Sequence, residues 1–316
     1  MTSLSETLTN NQKDYRSNSL WRLTLRRILR QRNAVLGLVI LAFLVLVAIF
    51  APLLAPYDPN QVLIGVEEEV FRRQPPCIHA LGCPADWHQH ILGIDGNVRD
   101  EFSRVIFGTR VSLFIGFTTI GFAIIIGTLL GAIAGYFGGA VDNIIMRIMD
   151  VLMAFPSLLL AIAIVSVLGP GLENALVAIG IVTIPVYARV VRGSVLSVKE
   201  NTYVSASRAM GAGPFHILIN RIMPNVLAPL IVQGTLGIGT AILDAAALSF
   251  LGLGAQPPMA EWGNMLGVER NQVFTAPHLV FFPGIAIMIT VLAFNLMGDG
   301  LRDAIDPRLG QSQRIE

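Results

Sequence analysis

The residue types that could carry chemistry are concentrated in one short polar segment. Cys77 and Cys83 are the only cysteines, and the histidines and the acid beside them are His79, Asp86, His88 and His90. One interpretation is a disulfide, whose short loop predicts roughly 2–3 kcal/mol of local restraint. The other is a metal site built from thiolate and imidazole ligands. The spacing matches no common zinc pattern, so the disulfide is favoured, and we expect no metal and no cofactor.

A single acid, Asp244, interrupts a long apolar run. A charge near the middle of a bilayer costs about 2.5–3.5 kcal/mol on insertion scales, so this carboxylate must face protein or water. A hydrogen bond to a neighbouring helix and a place beside a substrate path both meet that requirement. A proton relay is disfavoured because no second buried ionisable residue accompanies Asp244.

No pattern in the sequence predicts a catalytic site. The phosphate-binding pattern Gly-x4-Gly-Lys-Ser/Thr, whose backbone amides and lysine hold nucleotide phosphates, does not occur. Neither a Ser/His/Asp arrangement nor a pair of carboxylates suited to acid–base catalysis stands out. His216 is expected to be a surface contact rather than a base. We therefore expect a protein that is not an enzyme and has no catalytic residues.

The composition is that of an integral membrane protein. Hydrophobic residues make up 53% and charged residues 14% of the 316 positions, whereas soluble domains carry about 25% charged residues. The net charge of +1 gives no sign of nucleic-acid binding. Six apolar runs reach the roughly 20 residues that cross a bilayer as a helix: 34–54, 109–135, 145–168, 174–196, 226–252 and 278–298.

The distribution of lysine and arginine predicts the orientation, because these residues are enriched in cytoplasmic loops. The N-terminal arm holds seven of them, so with six spans both chain ends face the cytoplasm. The outer loop then lies on the oxidising side, where a disulfide persists. The basic helix at 21–32 is expected to lie on the lipids of the inner leaflet. The predicted regions are an arm at 1–33, a first span at 34–54, an outer loop at 55–108, a five-helix core at 109–298 with a cytoplasmic loop at 197–225, and a tail at 299–316.

The polar segment 199–225 reads as two short helices separated by a turn. The first contains the small residues Ser205, Ala206 and Ser207 and ends at Gly211, a residue suited to a left-handed helix cap. Pro214 suits the first turn of the second helix, which is expected to stop before Pro224. Small side chains on an exposed helix permit close approach of another protein, although an ordinary connector is the alternative.

This segment resembles the EAA loop of ABC-importer permeases. The family pattern is Glu-Ala-Ala, three residues, Gly, nine residues, Ile-x-Leu-Pro, and it aligns on Ala206, Gly211 and Pro224. The chain departs from the pattern at four positions: Ser205 replaces Glu, Ser207 replaces Ala, Arg221 replaces Ile and Met223 replaces Leu. The missing glutamate predicts docking by shape and small residues rather than by that charge.

Three further segments resemble the dipeptide/oligopeptide branch of these permeases, in the family's order. They are 91–113, 247–266 and 295–309. In the first, the matching residues are Gly93, Asp95, Arg99, Asp100, Ser103, Arg104, Gly108 and Arg110, while Val98 replaces a glycine. The resemblance covers about 91–309, and its nearest counterpart is the second, or C-type, permease of peptide importers.

The resemblance implies an all-α membrane protein with six transmembrane helices, the type I ABC-importer permease fold, in a bacterial or archaeal cell membrane. It implies a second homologous permease, two cytoplasmic ATP-binding subunits, an extracytoplasmic substrate-binding protein and a peptide cargo moved by alternating access. Nickel chelates or oligosaccharides are alternative cargoes of the same architecture. A self-contained secondary transporter is the alternative from a different class.

Two expectations concern packing and docking. Gly127, Gly131 and Gly135 recur every four residues and so share one helix face, which predicts close helix packing, with pore lining as the alternative. The resemblance also leads to the hypothesis that the outer loop forms a small cap over the pore and that the binding protein docks there.

Overall fold

The computed structural model describes residues 29, 31–84 and 86–305, and this part of the chain is built from helices. Five of them are long and apolar enough to cross a membrane, and six crossings result if one bent helix pair counts as a span. The helices are α1 Arg32–Leu54, α2 Glu101–Phe137, α3 Gly139–Met153, α4 Ser157–Leu168, α5 Leu172–Lys199, α6 Thr202–Ala209, α7 Pro214–Ile217, α8 Met223–Phe250, α9 Trp262–Glu269 and α10 His278–Ile305. Most of the predicted basic helix at 21–32 lies outside the described residues.

The prediction of one continuous helix at 145–168 is wrong. The chain forms α3 and α4 there, and the two helices meet at a bend of 90°. Pro156 lies directly before α4. Proline has no N–H to continue the helix and biases the preceding residue, Phe155, away from helical geometry.

Helix boundaries also differ at three other places. Helix α2 begins at Glu101 rather than 109, so the last eight residues of the predicted outer loop are helical. The stretch between the predicted spans 226–252 and 278–298 contains α9. Helix α10 extends to Ile305, so the predicted tail at 299–316 starts as helix; its residues from 306 onward lie outside the described part.

The glycine stripe of α2 packs against α5. A β-carbon added to Gly127 would lie 2.7 Å from Cβ of Tyr187, and one added to Gly135 would lie 2.9 Å from Cβ of Val195. At Gly131 the added atom would overlap the carbonyl group of Ala188. The packing interpretation is therefore confirmed, and pore lining by these glycines is wrong.

Two faces of the bundle can now be named. The loop side carries α6 and α7. The cap side carries the folded segment 55–100, called the cap, together with α9. The cap has its own small apolar core, in which Leu63, Ile94 and Val98 are fully buried.

Candidate functional site

The loop side presents α6 as a short helix with a fully formed C-terminal cap. Gly211 adopts φ 85°, its N–H donates to the Arg208 carbonyl at 3.0 Å, and the Ala212 N–H donates to the Ser207 carbonyl at 3.1 Å. These two bonds are the Schellman pattern that ends helices at a left-handed glycine. The predicted cap at Gly211 is confirmed, and so is Pro214 as the first residue of α7.

The helix after Pro214 does not stop before Pro224, as the sequence predicted. It passes through a π-helical turn, Leu218–Ile222, directly into α8. The Met223 N–H donates to the Leu218 carbonyl five residues back, and Pro224 falls in the first turn of α8, where a proline is tolerated. The segment 214–222 on the loop side is therefore continuous with the membrane-crossing helix α8.

Two hydrogen bonds tie α6 to the start of α8, and a third supports them. The Tyr203 hydroxyl donates to the Arg221 carbonyl at 3.3 Å, and the Asn225 side-chain amide donates to the Tyr203 oxygen at 3.1 Å and to the Arg221 carbonyl at 3.0 Å. Val204, fully buried, adds an apolar anchor beneath α6. This link was missed from the sequence, because Tyr203 and Asn225 are 22 residues apart.

The side chains of the loop divide into an outward and an inward set. Ser205 and Ala206 are exposed, whereas Ser207 is buried and donates to the Tyr203 carbonyl at 2.9 Å. Beside them are two large exposed apolar side chains, Met210 at 78% and Phe215 at 71% of full exposure. Exposed apolar groups next to small residues are typical of a surface that another protein covers.

His216 lies on the exposed surface and pairs with its own helix. Its Nδ1 is 3.1 Å from the side-chain amide nitrogen of Asn220. This contact is local, and it agrees with the expectation of a surface role rather than a catalytic one.

On the opposite side, the cap contains the Cys77–Cys83 disulfide, with Cα atoms 5.3 Å apart. The histidines near it do not converge. His79 Nε2 lies 2.8 Å from the Trp87 carbonyl, while His90 is buried among carboxylates. No group of three or more His, Cys, Asp or Glu side chains within the described ranges is arranged to hold a metal.

His90 is held between two acids. Its Nδ1 is 2.9 Å from Asp100 Oδ1 and its Nε2 is 3.1 Å from Glu67 Oε2, and its ring stacks on Tyr57 with centroids 5.4 Å apart. Burial alone would lower the pKa of His90, but the hydrogen bonds and charges of Asp100 and Glu67 outweigh it and raise that pKa. When both ring nitrogens are protonated, the imidazolium donates to both carboxylates and fastens the cap to the start of α2.

Stability of the cap is expected to depend on pH through His90. Because its pKa is raised above the ordinary value of 6.5, the stabilisation is complete below that value and is lost as the pH rises through the folded-state pKa. His90→Phe should remove this dependence and lower stability by about 3 kcal/mol, since it removes the cationic partner of the buried Asp100 and Glu67 carboxylates.

Thermal unfolding of the purified protein across the neutral-to-alkaline range would measure this effect. His88→Phe is the matched control, because His88 is exposed. Identical pH profiles for wild type and His90→Phe would contradict the assignment.

Several motif residues of 91–113 hold the cap together or fasten it to the helices. Arg99 Nη2 is 2.7 Å from Asp95 Oδ2, and Arg104 Nη1 donates to the Pro59 carbonyl at 2.7 Å and the Pro258 carbonyl at 3.2 Å. Asp100 caps α2 by accepting from the Ser103 N–H at 2.7 Å. The sequence identified these positions but not their partners.

Val98 stands where the resembling family has glycine, and the structure supplies a reason for that glycine. The residue adopts φ 59°, in the left-handed region that a β-branched side chain rarely occupies. Its side chain is fully buried between Leu63 and Ile94, and this burial offsets the backbone strain.

A second tie joins α9 to α2. The indole nitrogen of Trp262 donates to the Val105 carbonyl at 3.0 Å, and a β-carbon on Gly108 would lie 2.7 Å from the indole ring. Glu261 caps α9 by accepting from the Gly263 and Asn264 N–H groups at 2.9 and 2.8 Å. Burial nevertheless raises the pKa of the Glu261 carboxyl, although these bonds oppose it.

Asp244 lies on α8 and remains partly exposed. Within the described part of the chain its carboxylate accepts no hydrogen bond and forms no ion pair. The predicted alternative of a hydrogen bond to a neighbouring helix is therefore wrong for the described residues of this chain.

Apolar membrane-crossing helices, a capped helix exposed on one side and a packed cap on the other define a polytopic membrane protein. The fold is that of a solved structure titled as inward-facing conformations of the MetNI methionine ABC transporter. It matches with a TM-score of 0.53 at 20% sequence identity, over 65% of this chain and 98% of that one.

The chain belongs to the family of binding-protein-dependent transport system inner membrane components, whose profile matches residues 127–311. Residues 19–76 match the N-terminal TM domain of oligopeptide transport permease C. The protein is thus an integral membrane protein and a permease subunit of an ABC importer, with the type I importer fold.

Relatives that align with this chain over most of their length are also named as transport permeases. The dipeptide transport system permease protein DppC of Alkalihalophilus pseudofirmus is 46% identical, covering 94% of this chain and 93% of the relative. The glutathione transport system permease protein GsiD of Pectobacterium atrosepticum is 46% identical, covering 92% and 91%. The di/tripeptide transport system permease protein DppC of Pseudomonas aeruginosa is 46% identical, covering 88% and 89%.

Proposed function

We propose that this chain forms half of the translocation path of a peptide importer in the cytoplasmic membrane. Its partner in the membrane is a second, homologous permease. Two ATP-binding subunits dock on the loop side, which lies in the cytoplasm together with both chain ends. A substrate-binding protein delivers di- or oligopeptides to the cap on the outer side.

The observation that carries this proposal is the rigid attachment of α6 to α8. A helix that is capped at Gly211 and tied to the base of α8 through Tyr203 can pass the motion of a docked ATPase to the membrane helices. Alternating access needs such a connection between two global states. Ser205, Ala206, Met210 and Phe215 form the exposed docking surface.

Peptide cargo is supported by relatives named for dipeptide, di/tripeptide and glutathione transport. Glutathione is itself a tripeptide, so these names share one chemical class. Nickel chelates and oligosaccharides are cargoes of a different chemical class, and the uptake experiment described next distinguishes them from peptides. A self-contained secondary transporter disagrees with the family to which the chain belongs.

The proposal is tested by co-expressing this chain with the proteins encoded by its neighbouring genes and purifying the resulting complex. We expect a complex with two ATPases and a second permease, and ATP-dependent uptake of di- and tripeptides into proteoliposomes when the binding protein is added. Uptake of a nickel chelate or an oligosaccharide in place of peptide would overturn the cargo assignment. Purification of the chain without an ATPase would overturn the docking role of α6.

A further inference from the structure

One face of α8 carries a stripe of polar side chains. Gln233, Thr240 and Asp244 all lie in α8 and are exposed or partly exposed. An α-helix has 3.6 residues per turn, so their spacings of seven and four residues place them within an arc of about 40°. At 1.5 Å per residue the stripe extends over about 16 Å, from the middle of α8 toward the cap side.

This face is unlike the lipid-facing surface of the same chain. The open face of α1 is apolar along its length and exposes Leu36, Val39, Phe43, Leu46 and Phe50. A carboxylate in contact with lipid tails is disfavoured, and acids in transmembrane helices face protein or water. The stripe on α8 therefore faces an aqueous path or another subunit.

The polar groups of the stripe are free to bind. No described residue donates to the Asp244 carboxylate, and the Gln233 side-chain amide makes no hydrogen bond within the described chain. The Thr240 hydroxyl reaches the Leu236 carbonyl only at 3.4 Å. Two hydroxyls elsewhere in the bundle are better satisfied, Thr183 with 2.6 Å and Thr290 with 2.7 Å, whereas the buried hydroxyls of Ser112, Thr119 and Thr128 on α2 have no partner among the described residues.

We infer that Gln233, Thr240 and Asp244 form a binding site for the peptide on its way through the membrane, with Asp244 pairing with the peptide's α-ammonium group. This inference rests on the proposed function. A carboxylate forms its strongest hydrogen bonds with a charged donor, and an amide side chain both donates and accepts. Gln233 and Thr240 thus match the N–H and C=O groups of an extended peptide. About five extended residues span the roughly 16 Å of the stripe, whereas a di- or tripeptide held at Asp244 contacts only part of it.

The uptake experiment uses the whole complex in proteoliposomes with saturating binding protein. Asp244→Asn keeps the shape of the side chain and removes its charge, so uptake of a peptide with a free α-amine should fall about tenfold. Asp244→Glu should restore uptake to within about threefold of wild type. The variant-to-wild-type ratio for the same peptide with an acetylated α-amine should stay near one.

A labelling experiment gives a readout that does not depend on transport. Thr240→Cys should react with a charged, water-soluble methanethiosulfonate reagent, and the reaction should slow at least threefold when peptide is supplied with the binding protein. Phe43→Cys, on the apolar face of α1, is the matched control and should stay unreactive. An unreactive Thr240→Cys would place the stripe against lipid or protein and overturn the site.

The remaining outcomes separate the two proposals. If the wild-type complex imports no peptide, the proposed function fails, whereas the reactivity of Thr240→Cys still reports whether the stripe faces water. If wild type and Asp244→Asn import peptide equally while Asp244→Leu destabilises the complex, Asp244 is structural and only this inference fails. Loss of the second permease from purified Asp244→Asn would show an ion pair between subunits and overturn the ammonium assignment.

Discussion

Replacing Ala206 with proline is expected to reduce peptide uptake to background while the chain still inserts in the membrane. Ala206 lies in the middle of α6, where its N–H belongs to the hydrogen bonding of the helix. A proline there has no N–H and its ring clashes with the carbonyl four residues earlier, which costs about 3 kcal/mol. An eight-residue helix has little stability of its own, so the docking surface unfolds.

The measurement is peptide-stimulated ATPase activity of the purified complex. A matched proline, Thr202→Pro, falls at the first residue of α6, where proline is tolerated because that N–H has no partner within the helix. It should retain far more uptake and stimulated ATPase activity than Ala206→Pro. Stimulated activity at the wild-type level in Ala206→Pro would refute the coupling role of α6.

Replacing Gly131 with alanine is expected to separate α2 from α5 and to remove the chain from the assembled complex. The new β-carbon would meet the carbonyl group of Ala188, and backbone atoms in a helix cannot move aside as a flexible side chain can. Overpacking of this kind costs typically 1–3 kcal/mol, and contacts at small residues are the main attraction between helices in lipid. Gly131→Leu should be more severe.

The amount of chain that co-purifies with its partners, together with its unfolding temperature in detergent, measures this effect. Gly121→Ala is the control in the same helix, because no atom lies within 4 Å of a β-carbon added there. Equal yield and unfolding temperature for Gly131→Ala and Gly121→Ala would mean that the close approach of α2 and α5 is not needed.

Under the proposed function, α8 connects the two ends of the mechanism. Its base is tied to α6 by Tyr203 and Asn225, and its middle and cap-side half carry the polar stripe that ends at Asp244. A rigid displacement of α6 by a docked ATPase would therefore move the proposed peptide site directly. The π-helical turn at Leu218–Ile222 keeps this connection helical despite Pro224.

Much of the fold follows from local rules in the sequence. Apolar runs predict the long helices, because lipid leaves the backbone no partner outside the helix. Gly211 predicts the end of α6, since a left-handed residue without a β-carbon is what the helix cap needs. The glycine repeat of α2 predicts a packing face, because three residues at four-residue spacing share one side of a helix.

Only the tertiary structure decided how distant residues meet. Glu67 and Asp100 reach His90 from 23 and 10 residues away, Arg73 meets Glu269 across 196 residues, and Tyr203 meets Asn225 across a turn. Local propensity does not specify such partners, because hydrogen bonds and ion pairs depend on where the helices and the cap pack. The same holds for Asp244: its residue type excluded contact with lipid, but only the packing of α8 left its carboxylate without a partner among the described residues.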